Sequence, residues 1–266
     1  GDQIYTEETP VEDLENIVYQ DGFNDGMVNG GITDLSVLTN LPNLKEVFLC
    51  NQKISDISPL QELPIEGLYV CGNQIKDFSP VEKMQELSTL YLVDNPVGKM
   101  PQLSGCTKLT RLALCGNDYG TLDFLQGSSV CNLYAMGIYV EDESFGVLST
   151  MQSLTELYTG SEQKQFYEIL PELTELRTLS LWGGNFGTDL TIVSKLVNLQ
   201  NLFVNDEFVT SLSGIENLQR LEVFCMDGTN ATDISPLTKL PRLQVVRLQG
   251  VPIVEFAPLF SCHSLQ

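Results

Sequence analysis

At 266 residues and 42% hydrophobic, the chain can build a large core, yet it carries 35 acidic against 14 basic residues and a formal charge of −21. That balance argues against nucleic acid and against an anionic membrane surface, because binding either needs clustered Lys and Arg. No apolar run approaches the roughly 18 residues of a membrane span, so no transmembrane segment is expected.

Residues 1–31 read as an N-terminal helical cap. Thr9-Pro10-Val11-Glu12 has the form of a capping box with Pro at the first helical position, and Val11, Leu14 and Val18 then share one helix face. The run Asp21-Gly22-Phe23-Asn24-Asp25-Gly26 suggests calcium, but Phe23 and Ile32 stand where an EF-type loop needs oxygen ligands, so it reads as a plain turn. A chain that opens on Gly1 reads as processed or recombinant, so the lack of a secretion signal carries no information.

From residue 32 to 266 one pattern repeats: leucine-x-x-leucine-x-leucine, then an Asn or a stand-in three residues on. The Asn register is Gln52, Asn73, Asn95, Asn117, Ile138, Glu162, Gly184, Glu207, Thr229 and Val251, in steps of 21 to 24 residues. About ten coils are readable, the last followed by a fragment. A fixed period of this length means units that bury their apolar face only by stacking on neighbours. The L-x-L segment alternates with period two and reads as a short strand; because every coil runs the same way, the strands form a parallel sheet. The second half of the coil is clearest in Ile54–Leu60, Ile75–Val81 and Ala231–Leu237, each with Asp two places before Ser-Pro. There Ser is expected to cap, and Pro to open, a single tight helical turn.

These two halves together, I-x-D-[IF]-S-P-[LV] joined to L-x-x-L-x-L-x-x-N, resemble the leucine-rich repeat family, and specifically the internalin type of bacterial cell surfaces. The resemblance covers Ile32 to Gln266 and implies an α/β fold: a right-handed solenoid with a concave parallel β-sheet and short 3-10 or helical turns on its convex face. In the family the ladder Asn satisfies backbone groups of adjoining coils. Here Asn holds that place only at Asn73, Asn95 and Asn117; Gln52 and Thr229 can still hydrogen-bond, whereas Ile138 and Val251 cannot. The stretch 127–164 should be the least regular.

The central x of each L-x-L points away from the core. Down the coils that column reads Phe48, Tyr69, Tyr91, Ala113, Tyr134, Tyr158, Ser180, Phe203, Cys225 and Arg247, and the next outward column includes Cys50, Cys71, Val93, Cys115, Met136 and Trp182. Partly open, five such aromatics would expose roughly 300–600 Å², as large as any patch expected on a monomer. Phe48, Tyr69, Tyr91, Val93, Tyr134, Met136, Tyr158, Trp182 and Phe203 are therefore the candidate partner-binding residues. The competing reading is that the rings stack on one another and only stabilise neighbouring strands.

Seven cysteines leave at least one unpaired. Cys106 and Cys262 stand at core leucine positions. Cys50 and Cys71 face outward on adjacent strands, where side chains in register point the same way, so free thiols are expected, with both open to a thiol reagent and Cys106 protected. With one histidine, His263, and no C-x-x-C, neither a zinc site nor a His-activated nucleophile is expected. Glu141-Asp142-Glu143 reads as solvated. No catalytic residue, metal or cofactor is expected.

The resulting reading is a non-enzymatic binding module of a secreted or cell-surface bacterial protein, taking a protein or a glycan on its concave face. An adhesion or host-contact role follows from the resemblance alone. Two alternatives are an intracellular regulatory scaffold resembling phosphatase-binding leucine-rich proteins, and a spacer without its own ligand. Because Gln266 falls inside a coil, truncation of a longer protein or end-to-end self-association is also expected.

Overall fold

The computed structural model describes residues 30–265 apart from 162 and 185. The predicted N-terminal helix and the Asp21–Gly26 turn lie outside the described residues. Twelve strands are described: β1 Glu46–Phe48, β2 Gly67–Tyr69, β3 Thr89–Tyr91, β4 Arg111–Ala113, β5 Asp118–Gly120, β6 Asn132–Met136, β7 Tyr139–Val140, β8 Glu156–Gly160, β9 Thr178–Trp182, β10 Asn201–Asn205, β11 Val223–Asp227 and β12 Val245–Gln249. Ten of them form one sheet in the order β1-β2-β3-β4-β6-β8-β9-β10-β11-β12. Each pairs in parallel with the next coil, in the register read from the sequence: Phe48↔Tyr69, Tyr69↔Tyr91, Tyr91↔Ala113, Ala113↔Tyr134, Tyr134↔Tyr158, Tyr158↔Ser180, Ser180↔Phe203, Phe203↔Cys225 and Cys225↔Arg247.

The inward leucines make a continuous core. Leu68, Leu90, Leu112, Leu157, Leu179 and Leu202, each the second residue of its strand, are fully buried. Each such side chain contributes about 1.5–3 kcal/mol relative to exposure, realised only because a neighbouring coil covers it. Opposite the sheet run 3-10 turns, among them Ser58–Leu60, Ser79–Lys83 and Ser235–Lys239, each with Pro in its first turn. Their caps differ from expectation. Ser is already inside the turn, and the acid two residues earlier does the capping: Asp56, Asp77 and Asp233 each accept the N–H of the following Ser at 2.8 Å. A carboxylate accepts without having to give up a proton and also favours the positive helix end. Hydrogen bonds from the hydroxyl and the N–H of that serine hold the carboxyls of Asp34, Asp77 and Asp233 below their ordinary value.

The three asparagines form the ladder. Asn95 Nδ2 donates to the carbonyls of Val70 and Leu92, each at 2.9 Å, and its Oδ1 accepts the Ile75 N–H at 3.1 Å. Asn73 serves Leu49, Val70 and Ile54 in the same way, and Asn117 serves Leu114 and Asn95. Where Asn is missing, the solutions differ. Gln52 accepts the Ile32 N–H at 3.2 Å. At Gly184 the phenol of Tyr167 takes the space and donates to the Ser161 carbonyl at 2.6 Å. Ile138 is buried in the main core. Thr229, expected to hydrogen-bond, is buried with its hydroxyl unpaired; its side chain is too short to reach across the coil as Asn does.

The segment from Asp118 to Ile169, wider than the expected stretch 127–164, departs furthest from the repeat. β5 and β7 form a separate two-stranded ladder, residues Asp142–Thr150 make a nine-residue 3-10 run, and an α-helix spans Lys164–Ile169. At the far end of the array Val254, Phe256 and Phe260 are exposed.

Candidate partner-binding face

Each outward side chain is placed by the strand pleat and then by the turn that ends the strand. The residue closing the strand adopts a left-handed backbone in most coils, through Asn51, Gly72, Asp94, Gly116, Gly137, Gly183, Gly228 and Gly250. At Gly72 and Gly116 space is also tight, since a Cβ there would push the side-chain oxygens of Asn51 and Asp94 aside. This column was legible as a Gly, Asn or Asp in every coil but one, which has Ser161, but sequence reasoning passed over it.

The central outward column is a ring stack. Phe48 and Tyr69 lie 4.3 Å apart between centroids and nearly parallel, Tyr69 and Tyr91 are at 5.1 Å, and Tyr134 and Tyr158 are stacked at 4.5 Å. Tyr91 and Tyr134 complete the row at 5.9 Å. The strand spacing of about 4.8 Å is close to the distance at which offset rings stack.

The stack corrects the expectation of a uniformly open aromatic patch. Tyr91 and Tyr134 are each 4% exposed and Val93 is 3% exposed. With Cys71 and Ala113 they form a second, small core on the outer side of the sheet, edged by Cys50, Tyr69, Cys115 and Tyr158. The physical reason is mutual cover: each ring face is occupied by its neighbours, and only the ends of the row and the later part of the following column, at Met136 and Trp182, reach water. Burial also pushes the Tyr91 phenol and the Cys115 thiol up, the latter to about 11. Of the two thiols expected to lie open to a reagent, Cys71 is buried within this cluster for the same reason, while Cys50 is half-buried at its edge.

What remains open lies at two places. Phe48 is 39% exposed at the first strand. Farther along, Trp182 is 45% exposed on β9, between β8 with half-buried Tyr158 and β10 with half-buried Phe203, while half-buried Met136 lies in its column one strand beyond β8. Its indole N–H donates to Ser180 Oγ at 2.8 Å, which lays the ring back along its own strand over a serine that is itself buried. Gly160 makes the neighbouring place: a Cβ there would meet the Trp182 backbone carbonyl. A polar border runs beside this aromatic group. Asn132 donates to Glu156 at 3.0 Å, the Tyr158 hydroxyl reaches the same carboxylate at 3.4 Å, and Asn201 donates to Thr178 at 3.1 Å. At the other end, burial and the nearby Glu66 carboxylate push the Glu46 carboxyl up.

Among the described residues no group of three or more His, Cys, Asp or Glu is arranged to hold a metal ion, and no helix is long and apolar enough to cross a membrane. A cavity of about 440 Å³ lies away from the aromatic face, among the turns around Leu148, Met151, Leu173 and Glu175.

Compared by sequence, the chain matches no family model and no curated protein. Compared by structure, it is similar to an internalin (inlF) from Listeria monocytogenes str. 4b F2365, with 23% identity over 90% of this chain and 70% of that one and a TM-score of 0.66. A chain of an octameric complex of Latrophilin 3, Unc5D and the leucine-rich repeats of FLRT2 is 16% identical over 85% of this chain and 74% of that one, with a TM-score of 0.54. A chain of PEPR1-AtPEP1 is 20% identical over 87% of this chain and 35% of its own length, with a TM-score of 0.50. These likenesses show the fold, a leucine-rich repeat solenoid of the internalin-like form.

Proposed function

We propose that this chain is a non-enzymatic binding module, secreted or carried on a bacterial surface, that takes a protein partner on the outer face of the sheet. Trp182, Phe203, Tyr158 and Met136 form the contact centre, Phe48 and Tyr69 extend it, and Tyr91, Val93 and Tyr134 are the rigid floor beneath. The observation that carries this reading is Trp182, a large aromatic 45% exposed on a sheet face whose other rings are mostly covered. Trp, Tyr, Phe and Met are the residues that dominate interface cores, and a pre-packed floor lowers the ordering cost of binding.

The assembly of a chain of like fold with other proteins in the octameric complex supports a protein over a glycan. The internalin likeness supports a bacterial surface setting and, by analogy of fold, adhesion or contact with a host. The lone His263, placed after the last strand of the sheet, supports the absence of catalysis.

Screening immobilised extracellular proteins and glycans with the folded chain tests the proposal. Against any ligand found, Trp182→Ala with Phe203→Ala should weaken affinity by at least about thirtyfold, the effect of a hot-spot loss of 2 kcal/mol or more. The melting temperature should stay within a few degrees. Unchanged affinity per folded molecule would return these side chains to architecture, and a glycan ligand would overturn the protein assignment.

A further inference from the structure

We infer that Cys50 and Cys71 are a modification site: a thiol pair that closes to an intrachain disulfide by exchange with a low-molecular-weight disulfide. The register brings them together. β1 and β2 pair in parallel at Phe48↔Tyr69, and the Leu49 N–H to Tyr69 carbonyl and Asn51 N–H to Cys71 carbonyl bonds, both 2.8 Å, carry that register past the strands and set Cys50 opposite Cys71. Side by side on neighbouring strands, the two thiols influence each other's ionisation.

No other pair of cysteines shares this arrangement. Cys115 is separated from Cys71 by the strand carrying Val93 and accepts the Met136 N–H. Cys106 and Cys262 are in the main core, bonded to the carbonyls of Val81 and Leu237.

The pair is asymmetric in the way exchange requires. Cys50 is half-buried at the rim, whereas Cys71 is 2% exposed beneath Tyr91 and Val93. Interaction between the two thiols lowers the Cys50 thiol from its ordinary value, and the same interaction together with burial raises that of Cys71. Cys50 is therefore the attacking thiolate and Cys71 the resolving thiol.

With oxidised glutathione the Cys50 thiolate attacks one sulfur, forms a mixed disulfide and expels a glutathione thiolate. Cys71 passes its proton to that thiolate and attacks the Cys50 sulfur, expelling the second glutathione. The protein loses two electrons and two protons, and glutathione disulfide becomes two thiols. Closure needs little movement. Strands about 4.8 Å apart satisfy the Cα range of a disulfide, and the Cβ atoms must approach by about 1 Å. Among the described residues β1 is the first strand of the sheet, and Cys50 sits in its closing turn, next to Asn51, whose carbonyl accepts the Gly30 N–H; the shift falls on that turn.

The test incubates the reduced, folded protein with oxidised glutathione, then reads intact mass and a peptide map without reduction. The expected product is a monomer lighter by two hydrogens, with Cys50 linked to Cys71 and the other five of the seven cysteines still thiols. Cys71→Ser should trap glutathione on Cys50, and Cys50→Ser should leave Cys71 unmodified. The inference is overturned if the wild-type protein keeps all its thiols until unfolded. It is equally overturned if the protein stops at the Cys50 mixed disulfide, or links other cysteines or other chains. Should a variant fail to fold, the wild-type map alone decides.

Discussion

The rings of Tyr91 and Tyr134 meet at 5.9 Å although the strand carrying Ala113 runs between theirs. Residues two strands apart are separated by about 9.6 Å at the backbone, so both side chains lean inward over the Ala113 methyl, which is fully buried. One small residue in the column lets the row of rings stay continuous.

That relationship makes Ala113 a sensitive position. Ala113→Leu should wedge the two tyrosines apart and cost about 1–3 kcal/mol, the usual range for an overfilled core. Urea unfolding measures the loss, and tyrosine accessibility to a modifying reagent should rise at Tyr91 and Tyr134 together. A neutral substitution would mean that the rings do not close over this position.

The asparagine ladder gives a graded prediction. Asn95→Ala strips partners from the Ile75 N–H and from buried carbonyls on two coils, and is expected to cost about 3 kcal/mol. Gln52→Ala, at a half-buried site where water can substitute, should cost less than about 1 kcal/mol. Equal denaturation midpoints for the two variants would contradict the ladder.

Gly184 and Tyr167 should behave as a unit. The backbone at Gly184 has φ 101°, and a methyl group there would collide with the Tyr167 hydroxyl and the Ser161 carbonyl. Gly184→Ala is therefore expected to destabilise strongly, whereas Gly137→Ala, where a Cβ meets open space, carries only the cost of its backbone conformation. Thermal melts of the pair make the comparison.

Alkaline pH should unfold the chain cooperatively. Burial pushes the Tyr167 phenol up to about 12, against an ordinary value near 10. The folded state thus holds this proton more tightly than the unfolded state, so the associated stability is complete below about pH 10 and is lost as pH rises toward about 12. Tyr91 and Tyr119, also pushed up chiefly by burial, act in the same direction. Tyrosinate absorbance followed with circular dichroism should show a late step coincident with loss of structure; a smooth titration with the sheet intact would refute it.

Period and register were legible because the repeat is carried by inward residues that have no alternative place: Leu68, Leu90 and Leu112 read as core and are core. The outward column was legible as a list but not as a surface. Exposure there depends on how neighbouring rings cover one another, a property of side-chain volume and strand spacing that no single position announces. Hence Trp182 emerges as open and Tyr91 as covered, although both were read as facing away from the core. The capping acid of the turns was visible as the Asp before Ser-Pro, but its role was given to the serine. The Tyr167 substitution for a ladder Asn was not visible at all, since it arises from a helix in the least regular coil.

Trp182 is the chain's only tryptophan, and it stands on the proposed contact surface rather than in the main core. Its emission is consequently a spectrum of one place on β9, with no contribution to average away. Occupancy of the face should move that emission to shorter wavelength and shield it from a dissolved quencher such as iodide, while disturbances elsewhere in the array leave it nearly still. The molecule thus carries its own optical probe, positioned to distinguish contact at the face from loosening of the coils.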